Sequence, residues 1–197
     1  MSAWQSLFDF LQPFDTGVLR LIHAHTSVWL DRLMIFWSDR KVWFPFYALL
    51  LAFWYLKEGK SKTLPALLII LSAVIISDQL ASSVLKPLTG RLRPCHEPAL
   101  LAWLHLPEGC GGKFGFVSSH AANSIALSLC VLRLFPKQKL LFVLLLCWSI
   151  LTAYSRMYLG AHYPTDILAG WLTGGAASFL SIWMVNRVRG FFKGNLF

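Results

Sequence analysis

The chain has 197 residues, enough for one compact unit, and 56% of them are hydrophobic and 15% aromatic. That is too apolar for an ordinary soluble domain, and the apolar residues fall in blocks, as in a polytopic membrane protein. The formal charge is +9, but the Lys and Arg residues sit between apolar runs and form no polar stripe, so no nucleic acid partner is expected.

In chain order, residues 1–13 contain Asp9, no basic leader and no small-residue cleavage site, so insertion is expected to rely on the first spanning helix. Trp4, Leu7, Phe8, Phe10 and Leu11 form one apolar cluster; Val18, Leu19, Leu21 and Ile22 form a second, broken by Arg20 and closed by His23. Charges and histidines interrupt every run before Arg40, and residues 2–37 read as short N-terminal helices lying in the interface. A sixth, imperfect span there is the alternative.

A spanning helix needs about 20 mostly apolar residues, because the hydrocarbon core is about 30 Å thick. Five segments meet or approach this: 42–56, 64–85, 117–135, 140–160 and 163–185. The predicted fold class is therefore all-α, a polytopic membrane helix bundle of five transmembrane helices in a single domain. Lys57, Lys60 and Lys62 join the first two spans, Arg133, Lys137 and Lys139 the third and fourth, and Arg187, Arg189 and Lys193 follow the fifth. The positive-inside rule puts these on the cytoplasmic side and turns residues 86–116 and 159–163 outward. Lys86, Arg91, Arg93 and Lys113 then lie outside, where an anion pocket gives them a reason to exist.

Cys130 and Cys147 lie in apolar runs and read as core residues. Cys95 and Cys110 share one polar loop, with a disulfide and two unpaired thiols as the alternatives. The Cys/His spacing fits no standard zinc pattern. Asp78, an acid within an apolar run, reads as a helix-to-helix hydrogen bond. His23, His25, His96 and His105 read as interfacial or loop residues, and Arg91 and Lys113 as headgroup contacts or solvated side chains.

The remaining polar residues form three spaced groups: Lys86 with Arg93-Pro94, Val117-Ser118-Ser119-His120, and Ser155-Arg156 with His162 and Asp166. In the five-span topology the helix ends carrying them meet at one membrane face. Lys86, Arg93 and Arg156 can neutralise a phosphate. Ser118 stands at a helix N-cap, and the first-turn N–H groups of Ser119 and His120 can donate to an anion. His162 can attack phosphorus, Asp166 at i+4 can orient its imidazole, and His120 can protonate the leaving oxygen and then activate water. No cofactor or metal is required, since the carboxylates are too few for a two-metal site. The flanking apolar runs make a lipid phosphate the expected substrate and the membrane its setting.

These groups resemble the signature of the type 2 phosphatidic acid phosphatase superfamily of integral membrane lipid phosphatases: Lys-(six)-Arg-Pro, Pro-Ser-Gly-His, and Ser-Arg-(five)-His-(three)-Asp. The first and third blocks match; the middle block has Val117 and Ser119 at the Pro and Gly positions. The match runs from Lys86 to Asp166 and leaves the N-terminal third uncovered. The resemblance implies an outward-facing active site with His162 as nucleophile and His120 as general acid. It makes Lys86, Arg93, Ser118, Ser119 and Arg156 the phosphate ligands. It also implies a substrate such as undecaprenyl diphosphate, phosphatidylglycerol phosphate, phosphatidate or a lipid A phosphate, and a bacterial inner-membrane location with the site facing the periplasm. A phosphotransferase and a catalytically silent lipid-binding or transport protein are the rival readings. Oligomeric state leaves no trace in the sequence.

Overall fold

The computed structural model describes the backbone of residues 3–196 and the side chains of residues 3–187. Its helices are α1 (Ala3–His23), α2 (Val28–Ser38), α3 (Phe44–Glu58), α4 (Lys60–Gln79), α5 (Lys86–Thr89), α6 (Ser119–Leu134), α7 (Lys139–Tyr158) and α8 (Pro164–Leu196). A π-helical turn, Leu80–Leu85, joins α4 to α5, so one continuous rod runs over Lys60–Thr89. Among the described residues the only β feature is an isolated bridge between Leu92 and Phe114. Arg189 and Lys193, expected among the basic residues after the last span, lie outside the described side chains.

Local chemistry sets the boundaries. Ser27 caps α2 by accepting from the Leu30 N–H, and Ser118 caps α6 by accepting from the Ala121 N–H. Gly59, at φ +74°, turns the chain sharply between α3 and α4. Pro164 opens α8 with Asp166 in its first turn, where a carboxylate suits the helix dipole.

Among the described residues three stretches are long and apolar enough to cross a membrane: Lys60–Thr89, Lys139–Tyr158 and Pro164–Arg187. Helices α3 and α6 have 15 and 16 residues, about 23–24 Å at 1.5 Å per residue, shorter than the hydrocarbon core. Helix α6 is the axis of the bundle and packs against α4, α7 and α8. Ala121, Ala122, Ala126, Cys130 and Val131 are buried on it, whereas Leu71, Ile75, Leu144, Leu172 and Phe179 on the outer helices are exposed and form a lipid-facing surface.

Close approach of α8 to α6 depends on two glycines. A Cβ on Gly174 would stand 2.0 Å from the Ala122 carbonyl oxygen, and one on Gly170 would stand 2.6 Å from that of Ser118. This is small-residue packing of the kind that holds helices together in lipid, where apolar burial drives association only weakly. Polar contacts add to it. Ser124 and Ser149 hydroxyls lie 2.7 Å apart between α6 and α7, and Asp78 on α4 accepts from Asn123 on α6 at 3.0 Å.

The N-terminal region differs from the expectation of short helices. Helix α1 runs unbroken through Pro13 and Arg20 for 21 residues. Phe8, Asp15, Leu19 and His23 are buried along one face, while Phe10, Phe14 and Leu21 are exposed. Packing on α7 and α8 holds the inner face, which outweighs the hydrogen bond that Pro13 removes. Arg20 does not interrupt the helix because its guanidinium swings out over the Trp103 ring, 4.9 Å from the centroid.

One cysteine and one histidine placement are also corrected. Cys147 is exposed on α7 rather than in the core, while Cys130 is buried. His23 is not a free interfacial residue: its Nδ1 accepts from the His105 backbone N–H at 3.0 Å, and its Nε2 pairs with the Met157 carbonyl at 3.2 Å. His105 in turn bonds Asp31 at 2.8 Å. The outer loop is thereby tied to α1, α2 and the end of α7. Cys95 and Cys110 form a disulfide across 15 residues, with Cα atoms 5.7 Å apart.

At the opposite end from this loop, the α3–α4 and α6–α7 turns share a cavity lined by Glu58, Lys62, Phe135 and Lys137. Trp54 stacks on Phe135 there, with ring centroids 4.5 Å apart.

Candidate active site

Four chain segments converge at the looped end of the bundle. The π-helical turn Leu80–Leu85 rotates the end of the α4 rod and aims Lys86 at α6, where its Nζ donates to the Ser119 hydroxyl at 2.6 Å. Arg93 follows on the strand-like edge that bridges to Phe114; its Nε donates to the Phe114 carbonyl at 3.2 Å. Ser118, at the start of α6, takes its own backbone bond from the other side of the site, donating its N–H to the Asp166 carbonyl at 3.0 Å. The N–H groups of Ser119 and His120 are in the first helical turn, where helix geometry supplies no intrahelical partner.

The fourth segment is the short link from α7 to α8. Arg156 sits in the last turn of α7, its Nη1 donates to Ser38 at the end of α2, and its Nε is buried without a hydrogen-bond partner. The backbone N–H groups of Ala161 and His162 both donate back to the Arg156 carbonyl, at 3.0 and 3.2 Å, which folds the link tightly. Gly160, at φ +64°, makes that fold possible, and its carbonyl accepts from the Cys95 N–H at 3.0 Å.

His162 is 1% exposed, and its Nδ1 faces Asp166 Oδ2 at 3.5 Å. Burial is the main cause that holds its imidazole well below the ordinary value of 6.5; the charges of Arg156, Arg93 and Lys86 add to it, against a hydrogen bond to the backbone of Gly115. The ring is therefore neutral at physiological pH, the state in which nitrogen carries a free lone pair. His120 lies within electrostatic reach of His162, Arg156, Lys86 and Arg40. Thus all eight residues singled out from the sequence lie at one end of the bundle, with three cations around one buried ring.

Asp166 is fully buried and satisfied on both oxygens: Oδ2 accepts from the Tyr163 N–H at 3.0 Å and Oδ1 from Arg91 Nη1 at 2.7 Å. Arg91 corrects the sequence reading. It is 6% exposed, neither solvated nor free for a headgroup, and its Nη2 pairs with Asp15 of α1 at 2.5 Å. Lys113, by contrast, is exposed, with its ammonium 5.7 Å from the Phe114 ring. Sequence reasoning also missed Asp15, Thr165, Ser38 and Gly115. A Cβ on Gly115 would stand 3.0 Å from Asp166 Oδ2 and 3.3 Å from Arg93 Cγ, so the lack of a side chain there lets loop and carboxylate meet. Spacing signals none of these four; the Gly90-Arg91 pair beside Arg93 was the nearest hint.

Among the described residues one other group has metal-ligand spacing, Cys95, His96 and Cys110, and the disulfide consumes two of its three donors.

A membrane bundle whose loops gather three cations, a capped helix start and a carboxylate-backed histidine defines a class of phosphate-handling membrane enzymes. The chain belongs to the PAP2 superfamily, whose family model matches residues 62–189. It is 33% identical over 185 residues to a lipid A 4'-phosphatase of Bacteroides thetaiotaomicron, covering 92% of this chain and 81% of the relative. It is 30% identical over 172 residues to an undecaprenyl-diphosphatase of Sulfolobus acidocaldarius, covering 86% and 77%. In fold it is similar to the crystal structure of a transmembrane PAP2 type phosphatidylglycerolphosphate phosphatase from Bacillus subtilis, with a TM-score of 0.64, 22% identity, and coverage of 95% and 98%.

Proposed function

We propose that the chain is a metal-independent lipid phosphatase acting through a phosphohistidine on His162. The observation that carries this reading is a buried imidazole whose Nδ1 faces Asp166 Oδ2 at 3.5 Å, under the charges of Lys86, Arg93 and Arg156. With Nδ1 turned to the carboxylate, Nε2 is the attacking atom. In the first step the N–P bond forms as the bond to the lipid oxygen breaks, and His120 gives that oxygen a proton. In the second step water attacks phosphorus, His120 takes a proton from it, the N–P bond breaks and inorganic phosphate leaves. Lys86, Arg93 and Arg156, with Ser118, Ser119 and the first-turn N–H groups of α6, hold the equatorial oxygens.

The whole chain acts as one membrane phosphatase domain, with residues 1–37 as interfacial helices and residues 86–116 as an outward-facing loop over the site. Helices α3 and α6 complete five spans with the three long ones. Lys57, Lys60, Lys62, Arg133, Lys137 and Lys139 then favour the cytoplasmic side, and the site faces the periplasm of a bacterial inner membrane. The Cys95–Cys110 disulfide agrees with an oxidising compartment on that side. The 33% relative makes a lipid A phosphate monoester the first substrate to test, and the 30% relative makes undecaprenyl diphosphate the second.

The test is phosphate release from a panel of lipid phosphates by the detergent-purified protein in excess chelator. Turnover is expected to survive chelation, to be blocked by vanadate and to vanish in His162→Ala. Released phosphate should match lipid consumed. Phosphate appearing on another acceptor would favour a phosphotransferase, and no turnover with any lipid would favour a silent binding protein.

A further inference from the structure

Arg91 stands between two buried carboxylates. Nη2 meets Asp15 Oδ2 at 2.5 Å and Nη1 meets Asp166 Oδ1 at 2.7 Å. Its guanidinium carbon lies 4.6 Å from the Phe8 ring centroid and 4.2 Å from that of Tyr163, within cation–π reach of both rings. Thr165 closes the arrangement. Its N–H donates to Asp15 Oδ1 at 2.9 Å, its hydroxyl donates to Asp15 Oδ2 at 2.5 Å, and that hydroxyl accepts from Arg91 Nη1 at 2.8 Å. Asp15 and Asp166 are fully buried. Such a network is costly to bury, and removing one member leaves an uncompensated charge.

The charges have a consequence for the reaction. A lone Arg91–Asp166 pair would be neutral, and Asp166 would have little field left for the imidazole on its other oxygen. Asp15 adds a second negative charge, so the triad of two carboxylates and one guanidinium carries a net charge of −1 beside His162. Attack on phosphorus makes the imidazole positive, and in a buried site that net charge stabilises it.

We propose that Asp15 of α1 and Arg91 are positioning residues for phosphoryl transfer: Asp15 neutralises Arg91, so that Arg91 can fix Asp166 in place without cancelling its charge toward His162. The proposal rests on the phosphohistidine reading above. It makes the amphipathic helix α1, outside the family motifs, part of the catalytic apparatus. Lys86, Arg93 and Arg156 also act on the imidazole by their charge, and none of them hydrogen-bonds Asp15.

The test compares Asp15→Asn with the double variant Asp15→Asn/Arg91→Gln, using a lipid phosphate that the wild type turns over. In Asp15→Asn, kcat is expected to fall by about tenfold or more with KM unchanged. The acid limb of its kcat/KM profile should move to lower pH, because a negative charge near the imidazole is gone. In the double variant the excess positive charge is gone as well, and kcat should recover above that of Asp15→Asn. A purely structural role predicts the reverse order, since the double variant loses more contacts. Wild-type kcat and pH profile in Asp15→Asn, or a double variant no better than the single, would overturn the proposal. Should Asp15→Asn not fold, Thr165→Val decides, since it removes only one hydroxyl from the brace. A reduced kcat at unchanged KM supports the proposal, and an unchanged kcat overturns it. A dead His162→Ala beside a wild-type-like Asp15→Asn sinks the brace alone. An active His162→Ala sinks the phosphohistidine reading and the brace with it.

Discussion

His162 is the proposed nucleophile, and its environment sets its protonation state. Burial first, and then three nearby cations, disfavour the imidazolium. The folded value lies below the ordinary 6.5, so acidification below 6.5 protonates the unfolded chain before the folded one. Stability from this group is complete above 6.5 and is lost as pH falls below it. Activity follows the same sign. With two substrates whose phosphates titrate differently, the acid limb common to both kcat/KM profiles reports the enzyme. That limb is expected below 6.5; a common limb at or above 6.5 would mean the ring is not held neutral by its surroundings.

The proposed catalytic residues stood out in the sequence because their spacing is local. Asp166 follows His162 by one helical turn, Ser118 sits where an N-cap must sit, and Arg156 closes a helix whose link to the next is only a few residues long. Arg91 was misread for the opposite reason: a basic residue in an outward loop has no local mark that separates a solvated side chain from a buried one. Its burial depends on Asp15, 76 positions away, and that pairing follows only from the packing of α1 on α8. His23 and His105 are alike in this respect, since they meet across 82 positions.

At the scale of elements, helices were legible from apolar run length, but the number of spans was not: among the described residues three stretches, Lys60–Thr89, Lys139–Tyr158 and Pro164–Arg187, are long and apolar enough to cross a membrane. The structure places helices within each of the five runs, while α3 and α6 come out shorter than a bilayer core. What run length cannot show is rotation. An all-round apolar helix carries no periodic signal, which is why Cys147 was expected in the core and faces outward instead. The continuity of α1 was hidden by Arg20 and Pro13, both of which read as breaks in a linear pattern and are absorbed by tertiary contacts. The contact of α8 with α6 makes its own prediction. Gly174→Ala places a methyl 2.0 Å from the Ala122 carbonyl, so the helices must part. Overpacking of this kind costs about 1–3 kcal/mol or more. The apparent melting temperature in detergent should fall clearly, whereas Gly175→Ala, with its nearest neighbour at 3.7 Å, should change little. Equal melting of both variants would refute the close-packed seam.

For the whole molecule, two opposing demands shape the charge distribution. The turns at one end hold Lys62 and Lys137 around a shared cavity, in keeping with a cytoplasmic face. The other end holds Lys86, Arg93 and Arg156 around His162, a concentration of positive charge that suits the proposed binding of a phosphate dianion and its charged transition state. The disulfide-closed loop bonds the α7–α8 link through Cys95 and Gly160, and α1 bonds the start of α8 through Asp15 and Thr165, so these elements meet around His162. The most direct measurement is therefore peptide mapping by mass spectrometry after a rapid quench of the enzyme during turnover of a lipid phosphate. A phosphoryl adduct is predicted on the peptide that carries His162, present in the wild type and absent in His162→Ala. Turnover without any adduct, or an adduct on a different peptide, would contradict the account.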